Sequence, residues 1–308
     1  MPEVDLLVMG GSGFIGGRTV QAAQAAGLRV ACTYLHRPPP PGATAFQLDC
    51  GDAARLSACL EETRPKGIVY CVVTGKFGSN NEADHQYASV TVLGTLLEVL
   101  ERSGLGSRLV YVSTNAVFSG KDGPYREDIE PDPHARQDIY RAYGLWRRAG
   151  EILALERRPN AIVARTANVD GRDAWGKINP RLQGLIDPLR SGQPVARFVD
   201  RGLSPTLVDN LAEALVEVSQ PDFALPRGCI LHLAGCEAVT DYEFARRIAR
   251  KIGANEMLVH EDHYLPLGSG EQYSIALDVA FTQSVMKTRL LGADELLDRV
   301  FGQGQPAG

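Results

Sequence analysis

Short apolar runs alternate with stretches of helical periodicity through the first half of the chain. Leu6–Met9, Arg29–Tyr34, Ala43–Leu48, Gly67–Val73, Arg108–Ser113 and Ala161–Arg165 have the length and content of buried strands. Helical patterns fall between them. One follows Gly13 and stops at Gly27, and Ala53–Arg64 stops at Pro65. Glu82–Ser103 ends at Gly104, and Ile139–Arg157 precedes the sixth strand. This alternation predicts an α/β fold with a doubly wound parallel sheet. From about Gly171 the rhythm changes. Asn179–Ser191, Asp209–Ser219 and Gly292–Val300 read as helices, and Val195–Val199 and Cys229–Leu233 as strands. Thr240 and Glu243 form a capping box opening a helix that runs to Lys251. The expected division is a first domain over 1–170 and a smaller C-terminal α+β lobe over 171–308, with the chain free to cross back between them. A ligand of such a sheet lies beyond the carboxyl ends of its strands, here between the lobes.

The first strand, turn and helix also carry chemistry. Gly10, Gly13 and Gly16 are spaced GxxGxxG between Leu6–Met9 and the helix. Glycines let the backbone approach a ligand closely. The free N–H groups and positive dipole end of the helix suit a pyrophosphate, so the stretch predicts dinucleotide binding. The plainer alternative is a turn whose glycines only pack helix against strand. The residues after the second strand choose the cofactor. An acid there holds the ribose 2′-hydroxyl of NAD, and a base favours the 2′-phosphate of NADP. Leu35-His36-Arg37 contains no acid, so NADP(H) is expected over NAD(H). The alternative is that Arg37 is a solvated charge before the Pro38–Pro41 loop.

Composition narrows the partners. The net charge of −5 and the lack of a basic run argue against nucleic acid. No apolar window of about twenty residues predicts a membrane span. The N-terminus reads straight into a strand, so no signal peptide is expected. None of the six cysteines forms a CxxC pair, and buried free thiols in a cytoplasmic protein are the expectation. His260 and His263 have a metal-like spacing, but nothing nearby completes a site.

Tyr143 and Arg147 are four residues apart on a predicted helix, hence on one face. A fixed cation beside a phenol stabilises the phenolate, an arrangement suited to protonating a carbonyl being reduced. Thr114 ends the fifth strand, where its hydroxyl could hold the same oxygen. The plainer alternative is a surface Tyr–Arg pair and a strand-end threonine.

Five stretches in order carry a family resemblance. Val112–Gly120, Pro124–Asp128, Tyr143–Glu151, Arg165–Gly171 and Asp200 through Ala212 are similar to motifs of the dTDP-4-dehydrorhamnose reductase group of extended short-chain dehydrogenases/reductases. That resemblance implies a Rossmann domain, a substrate lobe, and reduction of a small-molecule carbonyl on a nucleotide-linked 4-keto-6-deoxy sugar. It implies Gly10, Gly13 and Gly16 under the pyrophosphate, with backbone contacts from Ser12, Phe14 and Ile15. His36 and Arg37 would lie near the 2′-phosphate, and Asp49 and Cys50 beside the adenine. Val72, Val73 and Thr74 would line the cofactor, and Ala167, Asn168 and Val169 would sit by the nicotinamide. Thr114 would polarise the carbonyl, Tyr143 would be the acid, and Arg147 would stand in the place of the family's lysine, where it can still bond ribose hydroxyls. A homodimer is the expected assembly.

The departures are specific. Arg147 keeps the charge of that lysine but not its ready proton. Val72-Val73 replaces an alanine pair, Thr91 aligns with a usual asparagine, Asn115 replaces an aspartate, and the loop before Tyr143 is longer. Two further functions therefore stand beside the sugar reductase. One is a ketone or imine reductase of secondary metabolism. The other is a cofactor-binding regulatory subunit, because the group also includes a non-catalytic regulatory subunit of methionine adenosyltransferase.

Overall fold

The computed structural model describes residues 3–73, 81–121, 123–136, 138–224, 229–265 and 273–302. The first half alternates as the pattern predicts: β1 (Leu6–Met9), α1 (Phe14–Ala25), β2 (Val30–Tyr34), β3 (Thr44–Gln47), α2 (Ala53–Thr63) and β4 (Gly67–Tyr70). It continues with α3 (Glu82–Gln86), α4 (Leu93–Ser103), β5 (Arg108–Thr114), α5 (Arg141–Arg157) and β6 (Ile162–Thr166). The second half holds β7 (Val169–Asp170), α6 (Pro180–Arg190), β8 (Val195–Phe198), β9 (Arg201–Leu203), β10 (Thr206–Leu207), α7 (Val208–Ser219) and β11 (Cys229–His232). Then come β12 (Val239–Thr240), α8 (Asp241–Lys251), β13 (Val259–Asp262), β14 (Tyr273–Ser274), α9 (Ala280–Val285) and α10 (Ala293–Phe301). No helix among the described residues is long and apolar enough to cross a membrane.

Seven strands form one parallel sheet in the order β3-β2-β1-β4-β5-β6-β11. Strand β1 shows why its run is apolar throughout. Leu6 and Val8 point into a core shared with Val20, Ala23, Leu211 and Leu215 of α1 and α7. Leu7 and Met9 point the other way, onto Leu56, Leu60, Leu93 and Leu96 of α2 and α4. A third core joins α6, α8 and α10 through Leu185, Ile186, Phe244, Ile248, Leu296 and Leu297. The predicted capping box is present: the Thr240 hydroxyl accepts from Glu243 N, and Glu243 reaches back to Thr240 N.

The chain does cross back: β11 pairs with β6 in the large sheet, and α7 packs on α1. Two features differ from the pattern. The fourth strand ends at Tyr70 rather than Val73. Beyond it the Val72 carbonyl is taken by the Arg147 side chain. The long helix predicted over Glu82–Ser103 is broken by a π-helical stretch, Tyr87–Val92. There the buried Tyr70 hydroxyl donates to the Ala88 carbonyl, an acceptor that a regular helix would use itself. Of the six cysteines Cys236 is exposed, and none is in a disulfide.

Candidate active site

Parallel strands end at one edge, so the residues after β1, β4, β5 and β6 gather there. Gly10, with φ +81°, turns the chain out of β1, and its N–H donates to the Thr33 hydroxyl. A Cβ on Gly16 would lie 2.2 Å from the Gly10 carbonyl oxygen, so only glycine lets α1 start this close to the strand. The N-cap Gly13 offers no side-chain acceptor, and the first turn of α1 has no acid. Ser12, Phe14 and Ile15 are half-buried around these free N–H groups. The cradle therefore fits an anionic ligand such as a pyrophosphate.

Arg147 and Tyr143 lie on one face of α5, with the guanidinium carbon 5.3 Å from the phenol ring centroid. Helix α5 comes this close because Gly144 abuts the turn after β5; a Cβ there would be 2.1 Å from the Ala116 oxygen. The His85 ring meets the Tyr143 ring edge-on at 5.3 Å. Arg147 is buried, and its fork reaches into the strand ends. Nη2 donates to the Val72 carbonyl at 3.1 Å, and Nη1 to the Val112 carbonyl at 3.3 Å and the Tyr111 hydroxyl at 3.4 Å. Burial opposes its charge, yet the Tyr143, Tyr111 and Tyr70 phenols around it hold its pKa above the ordinary arginine value. It is a permanent cation. Its Nε is buried with no partner among the described residues.

Thr114 is buried at the end of β5, beside Thr166 of β6. Its hydroxyl oxygen accepts from Ala116 N at 3.1 Å and donates to Asn115 Oδ1 at 3.4 Å. Asn115 Nδ2 donates to the Ile275 carbonyl at 2.8 Å. An ionised aspartate has no donor for that bond, which accounts for the asparagine. Ala167 is buried, Asn168 and Val169 half-buried. Thr166 Oγ1 and Asn168 Oδ1 are buried without partners among the described residues. Thr166 ends β6, Asn168 lies in the bend between β6 and β7, and Arg147 is on α5, so these orphaned atoms border the edge. Together with the cradle, they fit the polar groups of a nicotinamide dinucleotide.

The other predicted residues distribute as follows. His36 and Arg37 are exposed after β2, with the Arg37 guanidinium 3.3 Å above the Trp175 ring. Asp49 is exposed after β3, and its Oδ1 accepts from Gly51 N and Tyr87 Oη. Cys50 is buried with its sulfur 3.3 Å from Thr33 Oγ1, and burial pushes its thiol up to about 11. Val72 is half-buried and Val73 exposed. Thr74 lies outside the described residues. Thr91 is exposed on the π-helical stretch.

Sequence reasoning gave no role to the ion pair that braces α5. Glu151 and Arg165 are wholly buried and bonded twice, at 2.9 Å each. Ser113 donates to Glu151 Oε1 at 2.6 Å and Arg148 to Oε2 at 3.1 Å. The available signal was an arginine following the apolar run Ile162–Ala164 inside a buried strand.

His232 of β11 is buried beside this network, its Nδ1 donating to the Asp278 carbonyl at 2.9 Å. Burial, reinforced by Arg165, pushes its imidazole down to about 4. The unfolded chain takes up the proton near pH 6.5, whereas the folded chain resists until about pH 4. This residue's contribution to stability is therefore complete above about pH 6.5. It falls as the pH drops through about 4, by about 3 kcal/mol in all. Urea denaturation at pH 7 and pH 4.5 should show a smaller drop for His232→Asn than for the wild type; parallel drops would exclude His232 as the source.

A cavity of about 540 Å³ lies elsewhere, lined by Arg172, Lys177, Arg190, Lys251 and Phe301. Arg190, Lys251 and Phe301 are the last residues of α6, α8 and α10. Its cations complement the carbonyl ends of those helices.

The RmlD substrate binding domain family model matches residues 4–283. The chain is 33% identical over 159 residues to a dTDP-4-dehydrorhamnose reductase of Mycobacterium tuberculosis, covering 50% of this chain and 49% of that protein. It is 27% identical over 202 residues to methionine adenosyltransferase 2 subunit beta of Xenopus tropicalis, covering 64% and 58%. It thus spans about half the length of the curated relatives it matches. The crystal structure of dTDP-4-dehydrorhamnose reductase from Bacillus anthracis in complex with NADP superposes with a TM-score of 0.75 at 19% identity, covering 98% of this chain and 100% of that one. At that identity the likeness is one of fold.

Proposed function

The chain belongs to the RmlD substrate binding domain family, within the extended short-chain dehydrogenases/reductases, and on that premise we propose that it is an NADPH-dependent carbonyl reductase acting on a nucleotide-linked 4-keto-6-deoxy sugar. The observation that carries the reading is the Tyr143 phenol held 5.3 Å from the Arg147 guanidinium at the sheet edge where β5 ends in Thr114. The M. tuberculosis relative supports the sugar class of the substrate.

NADPH, when bound, supplies the hydride. The glycine cradle and the free N–H groups of α1 hold its pyrophosphate, and Arg37 meets the 2′-phosphate. Tyr143 donates its phenolic proton to the carbonyl oxygen as that oxygen gains charge. Arg147 stabilises the phenolate left behind. Because its pKa lies above the ordinary arginine value, Arg147 passes no proton itself. The phenol is recharged from another source. Thr114 orients the carbonyl oxygen by turning its one O–H donor from Asn115 Oδ1 to it.

A second reading has its own support. Three of Arg147's five N–H donors are spent on Val72, Val112 and Tyr111, which leaves two for a ribose. A site so arranged could bind the cofactor without turning over. The X. tropicalis relative is named as a subunit, in keeping with a regulatory role. The deciding experiment follows NADPH oxidation with a dTDP-4-keto-6-deoxyhexose, for the wild type beside Arg147→Lys. Turnover by the wild type is the expected result. Silence in both proteins, with NADPH still bound, would overturn the sugar reductase and favour either another ketone or imine or the regulatory reading.

A further inference from the structure

Arg37 is exposed, yet it is not free to wander. Its guanidinium carbon sits 3.3 Å from the centroid of the Trp175 ring. Trp175 comes from the loop between β7 and α6, far along the chain. That loop is stiff. Asp173 Oδ1 accepts from both Trp175 N and Lys177 N at 2.9 Å. It is also tied to α1, where Gln21 Nε2 donates to the Ala174 carbonyl at 2.9 Å. The Trp175 backbone is therefore fixed relative to the helix whose N-terminus forms the glycine cradle, and from it the exposed indole covers Arg37.

A guanidinium stacked on an aromatic face has one face covered and its in-plane N–H groups open. Arg37 has no carboxylate partner among the described residues. Arg18 of α1, by contrast, is engaged by Asp209 and Gln21. An immobilised arginine with open donors suits the dianion of a phosphate monoester, because the side-chain ordering is complete before the ligand arrives. Arg37 follows β2, where the adenosine ribose presents its 2′ substituent.

We infer that Trp175 is a specificity-determining positioning residue: its indole holds Arg37 as a preformed receptor for a ribose 2′-phosphate. The segment after β7 thereby helps to set the choice between NADP and NAD. The inference rests on the NADPH reading above.

The test is titration calorimetry of NADPH and NADH with the wild type, Trp175→Ala, Trp175→Phe and Arg37→Ala. The wild type should favour NADPH. Trp175→Ala should weaken NADPH about fivefold to tenfold and leave NADH unchanged. Trp175→Phe should keep most of the preference, and Arg37→Ala should abolish it. Equal wild-type affinities for the two cofactors would overturn the NADPH reading itself. A wild-type preference that survives Trp175→Ala would overturn only the role of Trp175. Equal weakening of both cofactors by Trp175→Ala would also overturn it, leaving the stack a fastening for the loop.

Discussion

Tyr143→Phe is expected to lower carbonyl reduction by about 10²- to 10⁴-fold while leaving NADPH binding intact. The substitution removes only the hydroxyl. The ring keeps its edge-on contact with His85 and its place beside Arg147, so the cofactor edge is unaltered. What is lost is the proton for the carbonyl oxygen, needed only as that oxygen gains negative charge. The defect should therefore fall on kcat, with KM little changed. Arg147→Met should share the defect in turnover. It should also lose stability, because the Val72 and Val112 carbonyls lose a donor. Stopped-flow or steady-state NADPH oxidation gives the first number and calorimetric NADPH titration the second. Undiminished turnover by Tyr143→Phe would remove Tyr143 from the chemistry.

Glu151→Ala should cost about 3–5 kcal/mol of folding stability, a large part of what a domain of ordinary stability has. Both partners of the Glu151–Arg165 pair are wholly buried, so removing the carboxylate leaves a guanidinium in the core with no counter-charge. Ser113 and Arg148 lose their acceptor in the same step. The double variant Glu151→Ala with Arg165→Met removes both charges, and it should be more stable than Glu151→Ala alone. Equilibrium urea denaturation of the four proteins closes the cycle. A loss under about 1 kcal/mol for Glu151→Ala, or a double variant at the sum of the single losses, would mean that the pair is not coupled as its geometry implies. The network ties β5 through Ser113, α5 through Glu151 and β6 through Arg165. A slackened network should also loosen the placement of Tyr143.

Much of this was legible in the chain because it is local. Leu6–Met9 followed by Gly10, Gly13 and Gly16 specifies strand, turn and helix start within a dozen residues, and the structure agrees. Tyr143 and Arg147 share a face because a helix repeats every 3.6 residues, whatever packs on it. Thr240 and Glu243 cap α8 through bonds that span three residues. Alternation of apolar runs with helical patterns was enough for a parallel sheet, since both its faces must be covered.

The rest depended on contacts between distant segments. The π-helical stretch at Tyr87–Val92 sits where Tyr70, from another strand, takes the Ala88 carbonyl. The spacing of Arg147 places it beside Tyr143. It says nothing of which way the fork turns, and the Val72 and Val112 carbonyls decide that. The run Cys229–Leu233 reads as a strand in the sequence, but only the open edge of β6 decides which sheet it joins. Arg37 after β2 is legible as a cation. That it stacks on Trp175 follows only from the loop after β7 being tied to α1. Short-range periodicity, capping and glycine spacing thus determined the elements and the chemistry available to them. Long-range packing and hydrogen bonding decided how those groups are aimed, because the partners that aim them come from segments the local pattern cannot bring together.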